Sequence, residues 1–284
     1  MPAGHRPREN VHFGRHAPYN APMKTAHTPR KRFGQNFLQD AGIIAEIANA
    51  IHPQPGEHLV EIGPGQGALT AALISRDIRL DVVELDRDLV TGLLAAFSIY
   101  PDFRLHSADA LAFDFATLAR DGVPLRVVGN LPYNISTPLL FRLLEFAPLL
   151  QDMHFMLQLE VVNRLAATPG GKHWGRLGIM AQYHCAVEHL FDVPPDAFYP
   201  PPKVQSAIVR LTPYPHSPWP ECDEDSLRRI VQASFAQRRK TLRNNLKGIL
   251  SDHELEQLGV DPGARAETLQ LLDFIRLANH LSDA

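Results

Sequence analysis

The sequence predicts an α/β fold, an open sheet flanked by helices, with a small all-helical domain at its C-terminal end. Three observations lead there. Short apolar runs at residues 59–62, 80–83, 125–128 and 153–157 alternate with stretches whose apolar residues recur at helical spacing, the pattern of strands joined by helices. A glycine-rich turn, Gly63-Pro64-Gly65-Gln66-Gly67, directly follows the first run, as at a ligand-binding strand end. Beyond Pro213, Pro215, Pro218 and Pro220 the strands stop, and Leu227, Ile230, Val231, Phe235, Leu242, Leu246 and Ile249 form one apolar stripe. The expected domains are a disordered basic extension at 1–27, an α/β domain at 28–212 and a helical domain at 213–284.

Composition narrows the function classes. With 284 residues, 45% hydrophobic and 21% charged, the chain is an ordinary globular protein with room for a large core. Cys185 and Cys222 alone exclude a disulfide framework and a thiolate metal cluster. The fourteen histidines have no ligand spacing, so no metal is expected. Arg142 and Glu145 interrupt the longest apolar stretch, residues 139–150, so no membrane span is expected. With no apolar leader at the start, a reducing cytoplasm is the expected location. Net charge is −3, yet residues 228–247 carry seven Lys or Arg and no acid, and residues 6–32 are almost as basic. Two basic blocks on a mildly acidic body imply a polyanion bound on one face; two solvated faces are the plainer alternative.

In chain order, Met23 is a second candidate start within the extension. Arg30, Lys31 and Arg32 then run into Phe33-Gly34-Gln35-Asn36-Phe37-Leu38. This reads as a lid over a cofactor with its cations on phosphates, or as an arm docked by Phe33, Phe37 and Leu38. Asp40 is placed to cap a helix carrying Ile43, Ile44, Ile47, Ala48 and Ile51. The first strand contains Glu61, and the turn after it lets a ligand approach the backbone. Glu84 ends the second strand, 21 residues after Gly63, where an acid accepts from ribose hydroxyls. Asp109 follows the third strand, near residues 103–105, and is placed to accept from an adenine amino group. Gly63, Gly65 and Ala68 satisfy the dinucleotide pattern, which makes an NAD-dependent oxidoreductase the runner-up. Glu61, two residues before Gly63, and the added Gly67 make an E-x-G-x-G-x-G arrangement that resembles methyltransferases more than dehydrogenases, with Glu61 placed to reach the methionine part of S-adenosylmethionine directly or through water.

The strand at 125–128 runs through Gly129 into Asn130-Leu131-Pro132-Tyr133. An exocyclic amine on a nucleobase is a poor nucleophile, because its lone pair is delocalised into the ring. Acceptors on its two hydrogens, the Asn130 side-chain oxygen and the Leu131 carbonyl, favour a pyramidal nitrogen. Pro132 holds that carbonyl, and Tyr133 offers a stacking face. Taken alone, the tetrad equally suits an ordinary turn in which Asn caps, Pro turns and Tyr packs.

Farther on, residues 137–150 and 160–167 read as helices and 179–185 as a strand. Residues 168–176, basic with Trp174, read as a mobile loop, either able to touch RNA or a plain surface loop. Phe198-Tyr199-Pro200-Pro201-Pro202-Lys203 is stiff and leads into a strand at 207–211. Phe198 is the candidate second wall of a clamp with Tyr133; the alternative is a phenylalanine buried at a strand entrance. Asp223 opens the helical tail, Ser251 and Glu254 form a capping box, and residues 269–281 form the last helix.

Residues 30–38 (RKRFGQNFL), 60–70 (VEIGPGQGALT), 83–88 (VELDRD), 130–137 (NLPYNIST), 198–206 (FYPPPKVQS) and 237–244 (QRRKTLRN) together resemble the small-subunit (16S) ribosomal RNA adenine N6,N6-dimethyltransferases. The resemblance implies a Rossmann-like class I S-adenosylmethionine-dependent methyltransferase sheet and a helical C-terminal RNA-binding domain. It implies dimethylation of two adjacent adenosines in the loop of the 3′-terminal hairpin, with a role in subunit maturation. By this likeness Gln35, Asn36, Leu38, Glu61, Gly63, Gly65, Glu84, Asp109 and Asn130 hold the cofactor. Asn130, Leu131, Pro132, Tyr133 and Phe198 grip the base. Arg30, Lys31, Arg32, Lys203, Arg238, Arg239, Lys240 and Arg243 face RNA, and the chain acts as a monomer. Gln66 and Leu159 depart from the family's usual residues, and Leu159 removes one expected cation. A large-subunit adenine methyltransferase of the antibiotic-resistance type shares the tetrad and is the nearer rival.

Overall fold

The computed structural model describes residues 35–283 apart from 75 and 120; the expected extension and the cations Arg30, Lys31 and Arg32 lie outside the described residues. The chain enters through strand β1 (Phe37–Leu38), helix α1 (Ala41–Ile51), β2 (His58–Ile62), α2 (Ala68–Leu73), β3 (Arg79–Glu84), α3 (Arg87–Phe97), β4 (Phe103–Ser107) and β5 (Leu125–Asn130). It continues through α4 (Ser136–Leu144), β6 (Leu150–Gln158), α5 (Leu159–Leu165), α6 (Arg176–His184), β7 (Cys185–Val193), β8 (Phe198–Tyr199) and β9 (Ser206–Pro213). Helices α7 (Glu224–Ser234), α8 (Leu242–Asn245), α9 (Asp252–Gln257) and α10 (Leu271–Asp283) follow.

Seven strands form one sheet in the order β4-β3-β2-β5-β6-β9-β7. The first five are mutually parallel, and β9 runs antiparallel between β6 and β7. Strand order reverses between β2 and β5, so the connections leaving their C-terminal ends diverge and open a crevice there. Separately, β1 pairs antiparallel with β8, Phe37 opposite Tyr199 and Leu38 opposite Phe198.

The central strands are buried on both faces, as a sheet covered by helices on each side requires. Alternation divides their side chains. Leu59, Leu80 and Val128 pack with Ile44, Ile47 and Leu69, while Val60, Val83 and Val127 pack with Leu139, Leu143 and Val162. A third cluster joins Leu227, Ile230, Phe274 and Ile275 of the helical tail to Trp174, Ile179 and Met180. The sequence-predicted caps are made: Asp40 accepts from the Ile43 N–H, Asp223 from that of Ser226, and Ser251 with Glu254 forms the capping box. No helix among the described residues is long and apolar enough to cross a membrane.

Three expectations are corrected. Residues 179–184 belong to α6, not to a strand, and β7 begins only at Cys185. A short apolar run reads alike as buried helix or strand; here close packing on α5 favours helix, since a Cβ at Gly178 would stand 2.4 Å from the Arg164 carbonyl oxygen. The helix expected over 137–150 stops at Leu144, ahead of Pro148, which has no N–H to continue it. The loop at 168–176 is tied down rather than mobile. The Gly170 N–H donates to the Glu267 carbonyl (2.7 Å), and Trp174 is buried with its Nε1–H on the Leu269 carbonyl (2.9 Å).

Candidate active site

Two strand ends build the site. After β2, Gly63, Gly65 and Gly67 take φ of 65°, 59° and 81°, the left-handed region that a side chain would strain. The turn is pinned by the Gly63 N–H on the Val83 carbonyl (3.0 Å) and the Gly67 N–H on the Pro64 carbonyl (2.9 Å). Beside it, β5 passes so close that a Cβ at Gly129 would lie 2.4 Å from the Ile62 carbonyl oxygen. Bare backbone at Gly129 is what lets the turn and the tetrad share one cleft.

The tetrad is fixed on every side. Asn130 donates Nδ2–H to the Asn36 carbonyl at 3.0 Å, which turns its Oδ1 away as an acceptor. Leu131 is buried, its N–H on the Met156 carbonyl (3.2 Å), and the Pro132 carbonyl accepts from the Ile135 N–H (3.1 Å). The Tyr133 hydroxyl lies 3.0 Å from Ser206 Oγ. Gln35, Asn36, Leu38, Glu61, Gly63, Gly65, Glu84 and Asp109 line the same cleft.

The site is acidic. Glu61 is fully buried; burial pushes its pKa to about 7, the Thr70 hydroxyl donating at 2.6 Å works against that, and the Glu84 charge adds to it. Burial also pushes the Glu84 carboxyl up from its ordinary value, opposed by backbone N–H groups including that of Asp86 at 2.8 Å. Exposed Asp109 accepts from the Leu111 N–H at 2.9 Å. Asp86, not anticipated from the sequence, accepts from Gln35 Nε2 at 3.0 Å and adds a fourth carboxylate. The described lining contains no Lys or Arg. Such a field attracts a cation and opposes a pyrophosphate, so the donor set fits the sulfonium of S-adenosylmethionine and disfavours a dinucleotide. His154 was also missed: it is buried in the cleft wall, its Nδ1 3.6 Å from Asp152 Oδ1 and its Nε2 without a hydrogen-bond partner among the described residues. Nothing in its sequence neighbourhood signals that position. Among the described residues no group of three or more His, Cys, Asp or Glu is arranged to hold a metal ion.

Phe198 is not brought to the cleft. It is 4% exposed in the core cluster with Leu38, Val193 and Ile208. Side chains alternate along a strand, so Phe198 shares the face of Leu38, and Tyr199 shares that of Phe37.

The basic residues divide. Arg238 and Arg239 line a recess with Lys172, Arg265 and Glu267, and Arg238 bonds Glu267 (3.3 Å) and the Lys172 carbonyl. Lys240 and Arg243 are exposed outside that lining, Arg243 paired with Asp252 at 2.7 Å. Lys203 is exposed on the segment after β8. Arg265 was missed because a lone arginine in a turn carries no local signal.

Comparison with known proteins fits this geometry. A model of the family described as ribosomal RNA adenine dimethylase matches residues 26–283. The ribosomal RNA small subunit methyltransferase A of Pseudomonas aeruginosa is 62% identical over 257 residues, covering 90% of this chain and 96% of its own. Its counterpart from Saccharophagus degradans is 59% identical over 260 residues, 92% of this chain and 97% of its own. Among solved structures, a dimethyladenosine transferase from Plasmodium falciparum superposes with a TM-score of 0.74 at 24% identity, covering 87% of this chain and 98% of its own. The 23S rRNA methyltransferase ErmE gives 0.69 at 26%, covering 87% and 100%. The sheet is therefore that of the class I methyltransferases, and a match running from residue 26 almost to the last residue places this chain in the ribosomal RNA adenine dimethylase family.

Proposed function

We propose that this chain dimethylates N6 of two adjacent adenosines in the loop of the 3′-terminal hairpin of small-subunit ribosomal RNA, acting as a monomer in the cytoplasm during subunit maturation. The observation that carries the reading is the Asn130 amide, held through Nδ2 by Asn36 at 3.0 Å so that Oδ1 is left for an incoming amino group. Bound S-adenosylmethionine would supply an electrophilic methyl group on a sulfonium. Gln35, Asn36, Leu38, Glu61, Gly63, Gly65, Glu84, Asp109 and Asn130 would hold it.

The residues of the chain do the rest. Asn130 Oδ1 and the Leu131 carbonyl accept the two amino hydrogens of the adenine, exposing the nitrogen lone pair. Tyr133 stacks on the extruded base, its hydroxyl steadied by Ser206, and offsets part of the cost of extrusion. Phe198, 4% exposed in the core with Leu38 and Ile208, takes no part in gripping the base and instead backs the wall of the cleft. No general base is needed for the attack, since the amine loses its proton after alkylation; alignment supplies much of the acceleration. Arg238, Arg239, Lys172 and Arg265 offer a recess for phosphates, with Lys203, Lys240 and Arg243 as further cations, and residues 213–284 are the RNA-facing domain.

The large-subunit alternative is weaker, because relatives named for the small subunit are 58–62% identical, whereas the 23S rRNA methyltransferase ErmE is 26% identical. The test is to incubate the protein and labelled S-adenosylmethionine with unmethylated small and large subunits, then map the product by mass spectrometry. Label in two adjacent adenosines of the small-subunit hairpin is expected. Label in the large subunit alone, or in neither, would overturn the proposal.

A further inference from the structure

Residues 199–205 join β8 to β9 as an arch in which every residue but Pro202 is exposed. Its ends are fixed to residues that line the cleft. At one end Tyr199 pairs with Phe37, whose ring lies 3.1 Å from the position of a Cβ on Gly65 and so covers the glycine turn. At the other, Ser206 Oγ lies 3.0 Å from the Tyr133 hydroxyl. The arch therefore joins the strand that pairs with the cover of the turn to the residue that meets the tetrad's tyrosine.

Tyr199 is 59% exposed and Val204 44%, with the exposed cation Lys203 between them in sequence. Aromatic faces are usually put out of water, and a large one left open beside a cleft marks a contact surface. An aromatic ring with a neighbouring cation suits a single nucleic-acid strand, whose bases stack on the ring while its phosphates meet the charge. Drawing one base into the cleft also removes a stacking partner from its neighbour, which then needs another flat surface.

We propose that Tyr199 is the platform for the nucleobase next to the one held in the cleft, with Lys203 on a nearby phosphate. This rests on the RNA reading above and adds a contact to it. Since Phe198 faces the core with Leu38, Tyr199 is the aromatic of this segment that is free to meet RNA.

The experiment compares wild type, Tyr199→Ala, Tyr199→Phe and Tyr199→Trp on unmethylated small subunits. It measures KM for the subunit, methylation at each adenosine by mass spectrometry, and S-adenosylmethionine affinity by calorimetry. Tyr199→Ala should raise KM roughly tenfold, the scale of one lost stacking contact, with cofactor affinity unchanged, and both aromatic replacements should restore it. A wild-type KM in Tyr199→Ala overturns the inference. So does an equal loss of cofactor affinity, which would mean that Tyr199 only braces Phe37. If wild type itself methylates no small-subunit adenosine, the underlying function has failed instead.

Discussion

Asn130 and Asn36, 94 residues apart, are joined by a 3.0 Å hydrogen bond from the Asn130 side chain to the Asn36 carbonyl. The bond closes the N-terminal arm against the end of β5 and fixes which end of the amide is free. Asn130→Ala should therefore lower the single-turnover rate by about 10²–10³, as when one preorganised partner of a reacting group is removed. Cofactor affinity should fall far less. Losing rate and affinity equally would show that Asn130 serves only as a tether.

Glu84→Ala should show the reverse. Its carboxylate is buried at the end of β3 and already anchored by the Asp86 N–H, so it is poised to accept from a diol. Charge-assisted bonds of this kind contribute about 1.5–3 kcal/mol, so calorimetry should record a fall in S-adenosylmethionine affinity of roughly ten- to a hundredfold. The rate at saturating cofactor should change little. Unchanged affinity would refute the ribose assignment.

Much of this site was legible because its determinants are local. A buried apolar strand that stops at a glycine turn, or at Gly129 and a proline two residues past Asn130, announces a strand end without knowledge of what lies beside it. Long-range facts were not legible. Arg126 sits inside an apolar run yet is buried by bonds to Asp152 (2.9 and 2.8 Å), Glu57 (2.6 Å) and the Ile51 carbonyl (2.6 Å); a buried guanidinium needs such partners, and they come from elsewhere in the chain. Nothing marked Asp81 as a buried bridge between His58 (2.6 Å) and His106. The inward face of Phe198 depended on the pairing of β8 with β1, two strands too short to show a period.

Gly129→Ala tests that close approach. The added methyl group would meet backbone, the Ile62 carbonyl at 2.4 Å, which cannot swing aside as a side chain can. Overpacking of this kind costs about 1–3 kcal/mol, and the shift it forces moves Asn130 relative to the glycine turn. A lowered urea midpoint and a loss of activity larger than the loss of cofactor affinity are expected. Wild-type values in both would mean that the strand ends are not held this tightly.

Glu61 gives the pH dependence. Its pKa stands at about 7 in the folded protein against an ordinary 4.5, chiefly through burial, with the Thr70 hydroxyl opposing and Glu84 adding. Between those values the folded state keeps a proton that the unfolded chain has lost. The resulting stability is fully present below pH 4.5 and is lost as pH rises through 7, when the buried group must ionise. By the size of the shift, roughly 3 kcal/mol is at stake. Glu61→Gln cannot ionise, so its stability relative to wild type should climb by about that amount from pH 4.5 to 8 in urea unfolding. A constant difference across the range would show that Glu61 titrates normally. Added S-adenosylmethionine should shrink the gap at high pH, because a sulfonium near the carboxylate favours the ionised form, and S-adenosylhomocysteine, uncharged at sulfur, should shrink it less.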